Sequence, residues 1–462
     1  MVSDPCLMSA HELAAAYRAR SLSPVDAVEA LLTRIERLNP ELHAFIAVYG
    51  TDARLVAEAA DKALRAGYDL GPLHGIPIAL KDLIAVEGRS YAAGSKVHLG
   101  RRATETATLV RKLIGAGAII LGKVHTVEFA FGGWGTNAHL GTPRNPWRAD
   151  DHYTPGGSSS GSGVAVAARM APLAVGTDTG GSVRIPASFN GITGLKVTRG
   201  RISNHGIEPL NMTLDTPGPM ARSVEDAALM YRAMQGPDVA DPMTFGITPD
   251  DPMAGLRRGV AGLRLGRIAL SDCGLTLDPE TVASYEAALE TMAGLGATIV
   301  PVTLPRALSD YALMREVMAA EAYALHGALA DDPTTPMDPH VRARILVGKI
   351  PAADYLRLLW QRPALQAEFL AAIDPVTALL LPTTPTPAQP VSEVDETTAP
   401  SGLTRAANLL GLCALAVPSG MTASGLPLSL QILGRPFAEA EVLRIGWAFQ
   451  QAGGWHLHVP PV

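Results

Sequence analysis

Apolar residues recur every three or four positions at Val28, Leu31, Leu32, Ile35 and Leu38, which is the period of one helix face. Ser23 and Pro24 precede this stripe as a cap and a first helical residue, and Asn39-Pro40 is expected to end it. Ser9 with Glu12 reads as a capping box for a shorter helix before it. Residues 42–48 then read as a strand and 51–66 as a helix closed by Gly67. Short apolar runs at 76–80, 118–121, 173–175, 195–197, 263–270, 297–302, 377–381, 414–417 and 428–432 read as strands. The pattern turns helical at 161–170, 223–234, 278–295, 404–410 and 438–450. It is also largely helical across 304–370, with breaks at Pro333 and Pro351. This alternation predicts an α/β sandwich with helices on both faces of one sheet. No internal repeat or shift of composition divides the chain.

Composition narrows the class. The 462 residues are 47% hydrophobic and 18% charged, as in a globular enzyme with a substantial core. A net charge of −6 and a pI near 6.1 exclude the broad basic face of a nucleic-acid binder. Cys6, Cys273 and Cys413 are odd in number and far apart, so no disulfide framework is implied and a reducing cytoplasm is expected. The start lacks a charged region followed by an apolar one. The apolar stretch at 161–176 is broken by Arg169 and Pro172, so no membrane partner is expected.

Residues 155–199 carry the chemistry. Pro-Gly-Gly-Ser-Ser-Ser-Gly-Ser-Gly opens the segment, an apolar helix comes next, and then Gly176-Thr-Asp-Thr-Gly-Gly-Ser-Val-Arg-Ile-Pro. Glycines let backbone N–H groups approach a ligand without a Cβ in the way. Thr179, Gly180, Gly181 and Ser182 would present successive N–H groups to one point, as an oxyanion hole requires. A serine hydroxyl also needs a base. Lys81, at the end of the apolar run 76–80, qualifies if burial removes its proton.

These segments resemble the amidase signature family. The likeness rests on Gly156-Gly157-Ser158-Ser159, on 176–184 with Pro186 and Gly194-Leu195-Lys196, and upstream on 75–82. It continues in Glu128-Phe129-Ala130, Asn145-Pro146, Gly425-Leu426-Pro427, Gln431 and Gly434. Ser160, Val197 and Ser429 depart from the family's usual residues, none of them at a triad position. The resemblance implies one domain over 1–462 with a mixed central sheet, a helical arm at 1–66 and a helical insertion at 304–372 near the pocket mouth. It implies a triad of Lys81 as base, Ser158 as relay after a cis peptide bond, and Ser182 as nucleophile, with neither metal nor organic cofactor. Asp178 and Arg184 are expected to be an internal ion pair that holds the loop.

Other motifs compete. Gly157-Ser-Ser-Ser-Gly161 fits the nucleophile elbow of an α/β-hydrolase, with Ser159 as nucleophile and a histidine required downstream. Gly117 to Lys123 nearly matches a phosphate-binding loop but has Val124 where Ser or Thr is needed. No histidine pair has metal-ligand spacing. For substrate, Phe131, Gly132, Gly133 and Trp134 are expected to line an apolar or aromatic acyl pocket together with Ile185. Expected substrates are therefore small-molecule amides, anilides and carbamates (a urethanase activity), cleaved by a monomer or homodimer. The resemblance leaves one different class open, the glutaminase subunit of a tRNA-dependent amidotransferase. Those subunits carry Gln where Ile185 stands.

Overall fold

The computed structural model describes residues 4–311 and 313–462. Its sheet is built from β1 (Phe45–Val48), β2 (Pro77–Lys81), β3 (Ile119–Val124), β4 (Leu173–Asp178), β5 (Thr193–Lys196), β6 (Thr216–Ala221), β7 (Arg264–Ile268), β8 (Thr298–Val302), β9 (Ala378–Pro382), β10 (Cys413–Met421) and β11 (Pro427–Gly434). The spatial order is β1-β3-β2-β4-β6-β5-β10-β11-β9-β7-β8. β3 and β4 pair parallel with β2, and β8 and β9 pair parallel with β7, whereas the edge pair β1–β3 and the centre from β4 to β9 are antiparallel. The sheet is thus mixed, as expected, and helices cover both faces.

Strand periodicity sorts the core. Ile78, Leu80, Leu173, Val175, Leu195, Leu415 and Val417 face one cluster, packed with helices Val224–Met234 and Glu439–Gly453. Their neighbours Ala79, Ala174 and Ala416 face the other side, against helix Ser160–Ala167. Small residues there let that helix lie close to the sheet. Lys81 shares the parity of Ala79, so its side chain points under this helix. This places the base.

Two expectations change. The helix that should stop at Asn39-Pro40 runs on as Pro24–Leu42, so β1 begins at Phe45 rather than at 42. A proline in the last turn forfeits one hydrogen bond only. Asn39 secures the helix end: its carbonyl accepts from His43 N–H at 2.9 Å, and its side chain brackets Phe45 at 2.9 and 2.7 Å. The second change is β6, which was not anticipated, because Pro217 and Pro219 argue against a central strand. The ladder explains the tolerance. β6 pairs with β5 only at Ala221 and Met220, so both prolines lie beyond that ladder. The region 304–372 forms helices Leu313–Asp331, Pro339–Leu346 and Ala352–Ala372, with interruptions at Pro333 and Pro351. No helix is long and apolar enough to cross a membrane among the described residues.

Gly218 lets β5 approach β6, since a Cβ there would overlap the Leu195 carbonyl oxygen. Gly218→Ala is therefore expected to lower unfolding stability by about 1–3 kcal/mol, read as a lower urea midpoint. An unchanged midpoint would contradict this packing.

Candidate active site

β2 ends at Lys81, β4 ends at Asp178, and helix Ser160–Ala167 begins just after Ser158 and Ser159. The three ends meet. Lys81 Nζ donates to Ser158 Oγ at 2.7 Å, to Thr177 Oγ1 at 2.8 Å and to Ser159 Oγ at 3.0 Å. Every member of this cluster is buried. The Gly157–Ser158 peptide is cis. Burial pulls the lysine down to about 7, against the opposing charges of Asp215 and Asp178. An amine so placed exchanges between its charged and neutral forms near physiological pH, and the neutral form can accept a proton.

Ser182 lies on the loop between β4 and helix Arg184–Asn190, and its carbonyl accepts from Ser159 N–H at 3.3 Å. Among the described residues no hydrogen bond joins the side chains of Ser158 and Ser182. The loop's N–H groups divide. Those of Thr179, Gly180 and Ser182 have no acceptor among the described residues, whereas Gly181 N–H donates to Asp178 Oδ1 at 2.8 Å. Gly181 thus leaves the expected oxyanion donors, because the carboxylate already occupies it. Its glycine is needed for shape instead. Its φ is +130°, and a Cβ would overlap Thr404 Oγ1 and lie 2.8 Å from Ile185 Cδ1.

Asp178 and Arg184 form the expected internal pair, both fully buried, at 3.0 Å through Nε and again through Nη2. Arg184 Nη1 also donates to Thr404 O at 2.9 Å and Gln431 Oε1 at 2.6 Å, and Nη2 donates to Asn408 Oδ1 at 2.7 Å. All five guanidinium donors are therefore engaged within the protein, leaving none for a substrate. Burial pushes Asp178 up, yet Arg184, Lys196 and Asn408 outweigh it and hold the carboxyl well below the usual range.

The aromatic loop is placed differently from expectation. Phe131 packs in a buried cluster with Leu83, Val127 and Ile345, and Trp134 in another with Ile185, Phe189 and Leu426. The aromatic faces and the Ile185 side chain are thus packed in buried clusters. Gly132 and Gly133 run beside the site, since a Cβ on Gly157 would lie 2.6 Å from Gly132 O. Gly133 O accepts from Gly157 N–H at 2.7 Å.

Ser159 does not suit the elbow. It is buried, its hydroxyl is held between Lys81 and Thr177, and no histidine bonds to it among the described residues. Of the near phosphate-loop residues, 119–123 lie in β3. No group of metal-binding side chains occurs among the described residues. Two contributors were missed. Thr177 lies inside the second Gly-rich cluster, where its hydroxyl is legible in the sequence. Asp215 gave no local signal, yet its carboxylate, pushed up to about 6 by burial, accepts from Thr179 Oγ1 and from the N–H groups of Leu210 and Asn211.

A family model described as Amidase matches residues 26–443. The chain is 38% identical to the glutamyl-tRNA(Gln) amidotransferase A subunit of Geobacter metallireducens, over 97% of this chain and 98% of that protein. It is 38% identical to a 2-amino-5-chloromuconic acid deaminase of Comamonas testosteroni, over 95% and 94% of the two chains. The native peptide amidase of Stenotrophomonas maltophilia superposes with a TM-score of 0.85 at 32% identity, covering 98% of each chain.

If Lys81 is the base, kcat/KM should rise with pH through an apparent pKa near 7. The Asp215 charge favours the ammonium form, so Asp215→Asn should move this limb to lower pH; a limb that stays or moves up would contradict the assignment. Ser159→Ala removes one of three lysine contacts and should cost roughly tenfold in turnover, about the value of one hydrogen bond. Complete loss would instead favour Ser159 as nucleophile.

Proposed function

This chain belongs to the amidase family, and from that premise we propose that it is a serine amidase that hydrolyses linear amides through an acyl-enzyme on Ser182. One observation carries the reading: a buried Lys81, pulled down to about 7, sits 2.7 Å from Ser158 Oγ, beside a loop that presents Ser182 with unengaged N–H groups. Lys81 takes the Ser158 proton as Ser158 takes that of Ser182. The Ser182 oxygen attacks the carbonyl carbon, and the N–H groups of Thr179, Gly180 and Ser182 receive the oxyanion. The proton returns through Ser158 to the nitrogen as the C–N bond breaks. Water, deprotonated along the same route, then releases the acid and restores Ser182.

The substrate range of this proposal is small-molecule amides and anilides, with carbamates as a chemically related group. A second reading is supported by the likeness to amidotransferase A subunits, under which the chain would release ammonia from glutamine inside an assembly. Ile185 is buried against Trp134 and Phe189, so at this position the chain offers an apolar contact in place of an amide side chain.

A fluorophosphonate probe should label Ser182 and no other serine, and Ser182→Ala and Lys81→Ala should each reduce turnover to background. The purified chain should hydrolyse members of a panel of anilides, carbamates, primary amides and glutamine. Turnover confined to glutamine and dependent on added partner subunits would replace this reading with the second one.

A further inference from the structure

Arg405, beside the loop that bears Ser182, has no counter-charge among the described residues. It opens helix Arg405–Leu409, directly after Thr404. Thr404 is tied to the loop that bears Ser182, because its hydroxyl donates to Gly180 O at 2.7 Å. Thr404 O also accepts from Arg184 at 2.9 Å, so the position of Arg405 is fixed by the same buried network. Its side-chain stem passes the loop: a Cβ on Gly180 would lie 3.8 Å from Arg405 Cγ.

The guanidinium is half-buried, yet among the described residues it makes neither a hydrogen bond nor an ion pair. Desolvation, reinforced by the like charge of Arg315, pulls it down to about 10. Arg315 stands on helix Leu313–Asp331, is exposed, and likewise has no acidic partner among the described residues. The neighbouring Met314 places its Cε 2.6 Å from the same Gly180 Cβ position, so this helix also borders the loop. Arg405 thus borders the nucleophile loop, within range of the like charge of Arg315, and neither has an acidic partner among the described residues. Other arginines near the site differ: Arg184 has all five donors engaged, and Arg344 is paired with Glu396. A desolvated guanidinium with free donors is matched by a planar anion that accepts two parallel N–H bonds.

We propose that Arg405, assisted by Arg315, binds a carboxylate on the substrate, so that the preferred amides are acidic ones such as the monoamides of dicarboxylic acids. This rests on the hydrolase reading above and deepens it. The acyl carbonyl lies at Ser182 while the carboxylate sits over Gly180, which sets a preferred spacing between the two groups.

The experiment compares kcat/KM for succinamate, glutaramate and adipamate with that for alkanamides of matched length, in wild-type enzyme and in Arg405→Gln and Arg405→Lys. Wild type should favour the acids by about tenfold or more, with an optimum at one chain length. Arg405→Gln should raise KM for the acids and collapse that ratio, and Arg405→Lys should retain part of it. No preference for acids in wild type, or an equal loss on both series in Arg405→Gln, would overturn the proposal. If Ser182 labels with fluorophosphonate while the two series are not discriminated, this proposal alone falls. If Ser182 does not label and no amide turns over, the hydrolase reading falls and takes it down too.

Discussion

The buried pair of Asp178 and Arg184 is the constraint on which the site depends. Arg184 is among the largest fully buried side chains. Taking a guanidinium out of water costs several kcal/mol unless every donor finds a partner. Here the partners come from the end of β4, from Thr404 and Asn408, and from Gln431 on β11. Satisfying one side chain therefore clamps the nucleophile loop against segments more than two hundred residues away in sequence. The carboxylate also takes Gly181 N–H, which sets the turn and decides which amides remain for an oxyanion.

The same interior supplies the base. Three hydroxyls surround Lys81 Nζ, and the carboxylates that act on it, Asp215 and Asp178, do so through space rather than by contact. A carboxylate bonded directly to the amine would keep it charged. Hydroxyls accept from the ammonium and can donate to the neutral amine, so they serve both protonation states. Desolvation then sets where the change occurs. The small face of the sheet, Ala79 and Ala174, brings helix Ser160–Ala167 close enough to exclude water. Backbone packing, acid–base chemistry and the placement of Ser158 are in this way one arrangement.

Where reading from residues went astray, each error had a local cause. Pro40 looked like a helix stop, but Asn39 supplied the capping bonds that carry the helix past it to Leu42. Pro217 and Pro219 hid β6, because proline is a poor central-strand residue unless its neighbouring ladder ends early. Phe131 and Trp134 have the chemistry of a pocket wall, yet both face buried clusters. Asp215 stands in no motif and acquires its role from Thr179 and the backbone at 210–211.

The sequence alone determined the α/β class and most helix starts, and it singled out Lys81, Ser158 and Ser182 as the residues to weigh together. Caps, strand alternation and glycine-rich turns act over a few residues, and the family's motifs preserve their order along the chain. Tertiary structure decided which N–H groups are open, that Arg184 is fully engaged while Arg405 is not, and that burial pulls Lys81 down to about 7. Desolvation and hydrogen-bond allotment are properties of neighbours brought together by folding, and no window of sequence contains them.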